Sequence, residues 1–157
     1  MSAEESRTEE QADIEAARAE FLNQVYDEQT YTFEADKLSA YASACGETAP
    51  RYTDTAHADF QAPPTFPTSL HPGRRLPEGY PKFNGLGMDA GKAVSCMAPI
   101  RPGQPITART HVHDIYTKTG RSGRMVFTVI RMELFDADDT MLATADTSIV
   151  IRERPAS

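Results

Sequence analysis

The sequence predicts an α+β domain whose helices come early in the chain and whose strands come late. Apolar residues recur at helical spacing before residue 46, and three long runs after residue 105 are rich in β-branched and aromatic residues. At 157 residues the chain fits one domain that can bury a core. We therefore expect an antiparallel sheet packed on a helix.

The N-terminal segment is strongly acidic. Residues 1–36 hold 11 of the 23 acidic residues and two of the 16 basic ones, so this segment carries −9 and the remaining residues carry +2. We expect a disordered tail over residues 1–8 and an acidic helix over 9–28, followed by the main domain over 29–157. An acidic segment on a slightly basic body argues against nucleic-acid binding but is compatible with a small phosphorylated ligand.

Several other classes of protein are excluded by motifs that the sequence lacks. No apolar run approaches the roughly 18 residues that span a bilayer, and the acidic N-terminus does not resemble a secretory signal. Cys45 and Cys96 are too few for a disulfide framework, so we expect reduced thiols in a cytoplasmic protein. His111 and His113 should share a strand face but have no matching metal ligands. We expect neither a metal nor a cofactor.

The first half of the domain reads as a short strand, then a helix, then an irregular segment. Residues 29–33 alternate as a strand does, and the next helix has Asp36 as its expected N-cap and Gly46 just past its end. Residues 60–103 are rich in proline and glycine yet too apolar for a solvated linker. We interpret this excursion as a wall over a binding surface, with simple cover for the core as the alternative.

The last third predicts a meander of three antiparallel strands over residues 106–118, 124–136 and 141–153. The segments between them, TGRSG and ADD, are typical of turns. In the last strand apolar residues alternate with polar ones, which indicates one buried face.

Three segments, in this order, resemble MaoC-like dehydratases and hydratases: EADKLSAYASACGETAPRYTD, QAPPTF and the closing run from IRPGQP to TSIVI. The resemblance covers residues 29–152. It implies a hotdog fold, in which an antiparallel sheet wraps around a helix and pairs with a second hotdog. It also implies hydration of a 2-enoyl thioester, or the reverse dehydration, on coenzyme A or an acyl carrier.

The family's catalytic loop has the form G-D-x-N-P-x-H-x-D, and this chain departs from it at the reactive positions. Glu47 stands where the family has Asp, Ala49 where it has Asn, and Tyr52 where it has His, whereas Pro50 and Asp54 match. A phenol with an ordinary pKa near 10 is a poor base at neutral pH. The extra methylene of a glutamate displaces its carboxylate by about 1 Å, which can cost on the order of 100-fold in rate. The loop therefore reads as degenerate.

The resemblance thus favours the non-catalytic, acyl-binding half of a heteromer that acts on a bulky acyl thioester in lipid or steroid side-chain metabolism. Its partner would be a second hotdog subunit with an intact catalytic loop. The expected substrate-binding residues are Pro64, Thr65, Phe66, Phe83 and Met88, and the expected coenzyme A phosphate ligands are Arg74, Arg75 and Lys82.

Two alternatives stay open. One is an autonomous homodimer that works as hydratase or thioesterase through Glu47 or Asp89, with Tyr52 as the second group of a working pair. The other is an acyl-CoA-binding scaffold without chemistry.

Overall fold

The structure is a computed structural model that describes the backbone of residues 3–153 and the side chains of residues 11–153. It contains three α-helices, a short 3-10 helix over Phe66–Ser69 and five strands. The helices are α1 (Ala3–Phe21), α2 (Ala35–Ala44) and α3 (Pro50–Thr53). The strands are β1 (Val25–Tyr31), β2 (Gly85–Cys96), β3 (Ile106–Gly120), β4 (Gly123–Phe135) and β5 (Met141–Glu153). They form one antiparallel sheet in the order β1-β3-β4-β5-β2, which confirms the expected α+β class.

The three C-terminal strands lie where the sequence places them, but the sequence misses β2. This 12-residue strand pairs with β5 along its whole length and has a bulge between Asp89 and Gly91. Gly91 has a φ of 109°, which a residue with a side chain rarely adopts. The prolines and glycines of residues 60–103 predict an irregular segment, and glycine is depleted in strands. Here the backbone pairing with β5 outweighs that weak propensity.

The N-terminal boundaries differ from those expected. The helix begins at Ala3, so most of the tail expected over residues 1–8 is helical; residues 1 and 2 lie outside the described part. The helix also ends at Phe21 and not at residue 28. Asn23 adopts a φ of 60°, which asparagine tolerates, and turns the chain into β1. Val25, which fits the apolar spacing of the helix, is therefore the first residue of that strand.

Two apolar clusters lie on the same face of the sheet, which we call the inner face. The first cluster packs α2 and the segment around Phe66 on one end of the strands, with the buried residues Phe33, Leu38, Phe60, Ala62, Phe66, Ile100, Ile106, Ala108, Met132, Leu134, Leu142 and Ala143. The second packs α1 on the other end, with Ile14, Ala17, Phe21, Val112, Ile115 and Val126. The sheet thus carries a separate helix at each end of its inner face.

Strand β4 shows this division along its length, because every second residue faces inward. Leu134 and Met132 belong to the first cluster, and Val126 belongs to the second. Beyond Val126, the buried Arg124 binds Asp13 on α1 and Glu153 on β5 with N–O distances of 3.0 and 2.7 Å. These ion pairs fasten α1 to its end of the sheet.

Replacement of Leu38 by alanine should destabilise the fold by about 2–5 kcal/mol, because this side chain is fully buried in the first cluster. Urea unfolding followed by circular dichroism measures the change. The matched control is Leu86→Ala, since Leu86 is 54% exposed and should change the unfolding free energy by less than about 0.5 kcal/mol. Equal losses in the two variants would contradict the assignment of the core.

Candidate functional site

The middle of the inner face lies beneath the proline-rich excursion, and tyrosines of β1 hold part of that excursion in place. The Tyr26 hydroxyl donates to the Arg75 carbonyl at 2.8 Å, and the Tyr31 hydroxyl donates to the His71 carbonyl at 3.0 Å. Burial, together with the charge of Asp27, raises the pKa of both phenols, so both remain donors at neutral pH.

A carboxylate of β1 adds two more bonds to the excursion. Asp27 accepts the backbone N–H groups of Gly73 and Arg74 at 2.9 and 3.1 Å. Gly73 lies against the side chains of β1, and a Cβ there would lie 2.2 Å from the Gln29 amide nitrogen. A side chain at this position would require the Gln29 amide to move.

The first cleft under the excursion is polar, and we call it the polar cleft. It measures about 390 Å³ and brings an acid together with three nitrogen-bearing side chains. Its lining residues are His71, Pro72, Arg75, Asp89, Lys92, Ile130 and Thr147. The Asp89 carboxylate accepts the Gly91 N–H at 2.7 Å, and the Lys92 ammonium donates to the Thr68 carbonyl at 3.0 Å. The cleft has the charge needed to hold an anion.

The second cleft is larger and mostly hydrocarbon, and we call it the apolar cleft. It measures about 550 Å³, within the range of small-molecule sites. Its lining residues are Leu76, Pro77, Gly79, Tyr80, Pro81, Lys82, Phe83, Thr128, Ile149 and Ile151. Ile130 in the polar cleft pairs with Thr147, and the next inward pair on these strands is Thr128 with Ile149. The two clefts are therefore about 7 Å apart along the strands.

Threonines mark the middle of the inner face, where the two apolar clusters leave the sheet uncovered by a helix. Thr128 and Thr147 line the clefts, and Thr128 bonds the Tyr80 hydroxyl at 2.7 Å. Thr110 on β3 is fully buried, and its hydroxyl is without a hydrogen-bond partner among the described residues. Hydroxyl groups between two hydrocarbon clusters suit a ligand that carries both polar and apolar parts.

The helix before the loop ends at the glycine that the sequence predicts. Gly46, with a φ of 76°, ends the helix as expected. Its N–H donates to the Ser43 carbonyl at 3.0 Å, and the Glu47 N–H donates to the Ala42 carbonyl at 2.9 Å, which is a Schellman ending. The beginning of the helix differs, because its N-cap is Glu34 and Asp36 lies in the first turn.

At the reactive positions of this loop, the side chains of Glu47 and Tyr52 contact neighbouring residues of the same loop. The Glu47 carboxylate accepts the N–H groups of Thr48 and Ala49 at 3.1 and 3.4 Å. The half-buried Tyr52 ring lies under the Arg51 guanidinium, 5.0 Å from ring centre to Cζ. Neither Glu47 nor Tyr52 lines the polar or the apolar cleft. Asp89, the third candidate acid, does line the polar cleft and is thus separated from the loop.

The structure does not bring the five expected substrate-binding residues together. Phe83 lines the apolar cleft, whereas Pro64 lies in a smaller cleft of about 220 Å³ at the end of β2. The Thr65 hydroxyl accepts a hydrogen bond from Tyr41, and Phe66 is only 1% exposed in the first cluster. Met88 alternates with inward-facing residues and so lies on the outer face of β2.

The three side chains expected to bind the coenzyme A phosphate also lie at different sites. Arg75 lines the polar cleft, Lys82 lines the apolar one, and Arg74 pairs with Glu78 at 3.6 Å on the surface. Lys92, which the sequence did not single out, takes the place beside Arg75. Its position was hidden because the strand that carries it was not recognised.

The histidine pair lies on the outer face, away from both clefts. The His111 Nε2 and His113 Nδ1 atoms are 3.3 Å apart, and burial lowers the pKa of His111. Among the side chains of residues 11–153, no group of three His, Cys, Asp or Glu residues could hold a metal ion.

In the part of the chain that the structure describes, no helix is both long and apolar enough to cross a bilayer.

Comparison with known protein families assigns the chain to one of them. Residues 20–145 match the family described as FAS1-like, dehydratase domain region. The chain belongs to this family. A UPF0336 protein of Streptomyces griseus is 28% identical over 134 residues, which cover 78% of this chain and 85% of the relative.

Solved structures confirm the hotdog fold and the resemblance to MaoC-like dehydratases. The MaoC-like dehydratase of Rhodospirillum rubrum superposes with a TM-score of 0.59 at 19% identity, over 86% of this chain and 94% of that one. Chains of two complexes from Mycobacterium tuberculosis are also similar. A chain of the ChsH1-ChsH2 complex gives a TM-score of 0.67 at 17% identity, over 93% of this chain and 94% of that one. A chain of the HadBC (3R-hydroxyacyl-ACP dehydratase) complex gives a TM-score of 0.56 at 15% identity, over 78% of this chain and 90% of that one.

Replacement of Asp27 by alanine should release the excursion, because two backbone N–H groups lose their charged acceptor. We expect trypsin to cleave after Arg74 and Arg75 about tenfold faster, as an opening free energy smaller by about 1.4 kcal/mol implies. Mass spectrometry of a digestion time course measures the rate at these bonds. The control is Glu28→Ala, which removes the neighbouring carboxylate that pairs with Arg109. Equal cleavage in the two variants would show that Asp27 does not hold the excursion.

Proposed function

We propose that this chain is the acyl-binding, non-catalytic subunit of a heteromeric enoyl thioester hydratase or 3-hydroxyacyl thioester dehydratase. The observation that carries the proposal is the state of the loop after α2. Gly46 and Pro50 match the family motif, but Glu47 is bound by backbone N–H groups of the same loop and Ala49 lacks a polar side chain. This loop has the frame of a catalytic loop without groups placed for proton transfer.

The two clefts can hold the two ends of an acyl thioester, as such a subunit requires. The apolar cleft can hold an aliphatic or ring-containing acyl group, and its volume suits a bulky one. Arg75, Lys92 and His71 in the adjoining polar cleft can meet the phosphates or the thioester end of a carrier. The partner would then activate a water that adds its hydroxyl to C3 while a proton is added to C2. In this arrangement the present chain binds and orients the substrate.

The exposed edge of the sheet supports a second subunit. Strand β2 is the last strand in the sheet, and an edge strand of 12 residues offers unpaired N–H and C=O groups to another chain. Leu86 and Met88 on this strand are 54% and 39% exposed. The similarity to the ChsH1-ChsH2 and HadBC complexes fits a heteromer. The free thiols of Cys45 and Cys96 fit the cytoplasmic location that we include in the proposal.

A specific observation favours a second candidate function, that of an autonomous thioesterase. Asp89 lies in the polar cleft beside Lys92 and Arg75, where a carboxylate could activate a water against a bound thioester. Against this role, one Asp89 oxygen already accepts the Gly91 N–H at 2.7 Å. An unchanged thioester hydrolysis rate in Asp89→Asn would exclude this candidate.

The loop variants Glu47→Gln and Tyr52→Phe should leave kcat of the reconstituted heteromer within about twofold of the parent value. Replacement of the loop histidine in the partner should lower kcat by about 10²–10⁴, the usual contribution of a general acid–base group. Hydration of crotonyl-CoA, followed by its absorbance, measures both after co-expression with a full-motif MaoC-like subunit. A hundredfold loss in Glu47→Gln, or full activity of the present chain alone, would overturn the proposal.

Acidic substitutions on β2 should abolish assembly. Burial of Leu86 and Met88 at an interface would contribute about 1.5–3 kcal/mol each, so Leu86→Asp combined with Met88→Asp should weaken association at least about a hundredfold. Co-purification of the chain with a tagged partner subunit measures the association. The control is Val25→Asp, because Val25 is 52% exposed but lies on β1 at the opposite edge. Loss of assembly in the control alone would place the interface on β1.

A further inference from the structure

Tyr80 separates the apolar cleft from the second core cluster. Its ring lines the cleft and packs against that cluster, where it meets Phe21 of α1 edge-on with ring centres 5.3 Å apart. The cluster that Tyr80 packs against consists of buried hydrocarbon side chains, Val126 among them. A ligand that enters the cleft therefore meets Tyr80 before it can reach the space between α1 and the sheet.

The ring is fixed from several sides. The Tyr80 hydroxyl and the Thr128 hydroxyl are 2.7 Å apart on the floor of the cleft, and Phe83 meets the ring with centres 6.4 Å apart. Burial raises the pKa of Tyr80, so the phenol stays neutral and keeps its hydrogen bond at physiological pH. Displacement of the ring from the cleft would break the hydroxyl bond to Thr128 and the edge-on contact with Phe21.

The order of the two clefts gives a bound thioester its direction. The cationic groups Arg75 and Lys92 lie in the polar cleft, at the level of the Ile130–Thr147 pair. The apolar cleft begins one inward pair further along and is floored by Ile149 and Ile151. A carrier phosphate at the polar end therefore points the acyl chain towards the isoleucines and Tyr80.

We infer that Tyr80 is a specificity-determining residue that limits how far an acyl chain enters the apolar cleft. This inference rests on the proposed binding of acyl thioesters. Chains shorter than the limit gain affinity with each methylene that they bury, by about fourfold per methylene. Methylenes beyond the limit stay in water and add nothing.

Saturated acyl-CoA thioesters from butyryl-CoA to palmitoyl-CoA test the inference, with dissociation constants measured by calorimetry on the full chain. The parent protein should show affinity that rises with chain length and then reaches a plateau. Tyr80→Ala should move the plateau to longer chains, with about fourfold more affinity for each additional methylene buried. Tyr80→Phe keeps the ring and should keep the parent plateau.

Two further variants keep the test decisive. Tyr116→Ala removes an aromatic ring that stacks on Phe127, outside both clefts, and should leave the plateau in place. Tyr80→Trp enlarges the wall and should shorten the plateau, which tests the inference even when the alanine variant does not fold. An unchanged plateau in a folded Tyr80→Ala or Tyr80→Trp protein overturns it.

The outcomes for the parent protein separate the two proposals. Binding that does not depend on chain length would overturn the role of Tyr80 and leave acyl-thioester binding intact. Absence of binding for every acyl-CoA would overturn both the role of Tyr80 and the acyl-binding part of the proposed function.

Discussion

The architecture depends on the difference in length between the long strands of the sheet and helix α2, which packs on them. Strand β4 has 13 residues and extends about 43 Å, whereas α2 has 10 residues and covers about 15 Å. A second helix, α1, covers the far end of the strands and is fastened there through Arg124. No α-helix of residues 3–153 packs on the middle of the inner face. The polar and apolar clefts lie over this middle stretch because a loop segment covers it in place of a helix.

Hydrogen bonds hold this loop segment in place in addition to the packing of Tyr80 and Phe83 against the second cluster. Here β1 supplies the fastening, through the hydroxyls of Tyr26 and Tyr31 and the carboxylate of Asp27. All these bonds go to backbone atoms of residues 71–75, so they fix the path of the chain and leave side chains such as Arg75 free to face the cleft. The same segment is thus both anchored and available for binding.

The sequence predicted the parts of the fold whose pattern is local. The alternation in β3, β4 and β5 and the ending of α2 at Gly46 follow from residue periodicity and turn chemistry. Strand β2 could not be found this way, because its order comes from pairing with β5 and not from its own residues. The residues that line the clefts were equally hard to predict, because several of them, such as Lys92, lie on this strand. Thr147 carried a usable signal, since a polar residue interrupts the apolar side of β5 between Ala145 and Ile149.

We propose that this chain binds the acyl thioester in the polar and apolar clefts and takes no part in proton transfer at the loop after α2. Hydrogen–deuterium exchange of the full chain, with and without palmitoyl-CoA, distinguishes ligand contact at the clefts from ligand contact at the loop. We expect the ligand to slow exchange in residues 71–92 and 147–151 and to leave exchange in residues 46–54 unchanged. Slower exchange in residues 46–54 without slower exchange at the clefts would overturn the proposal.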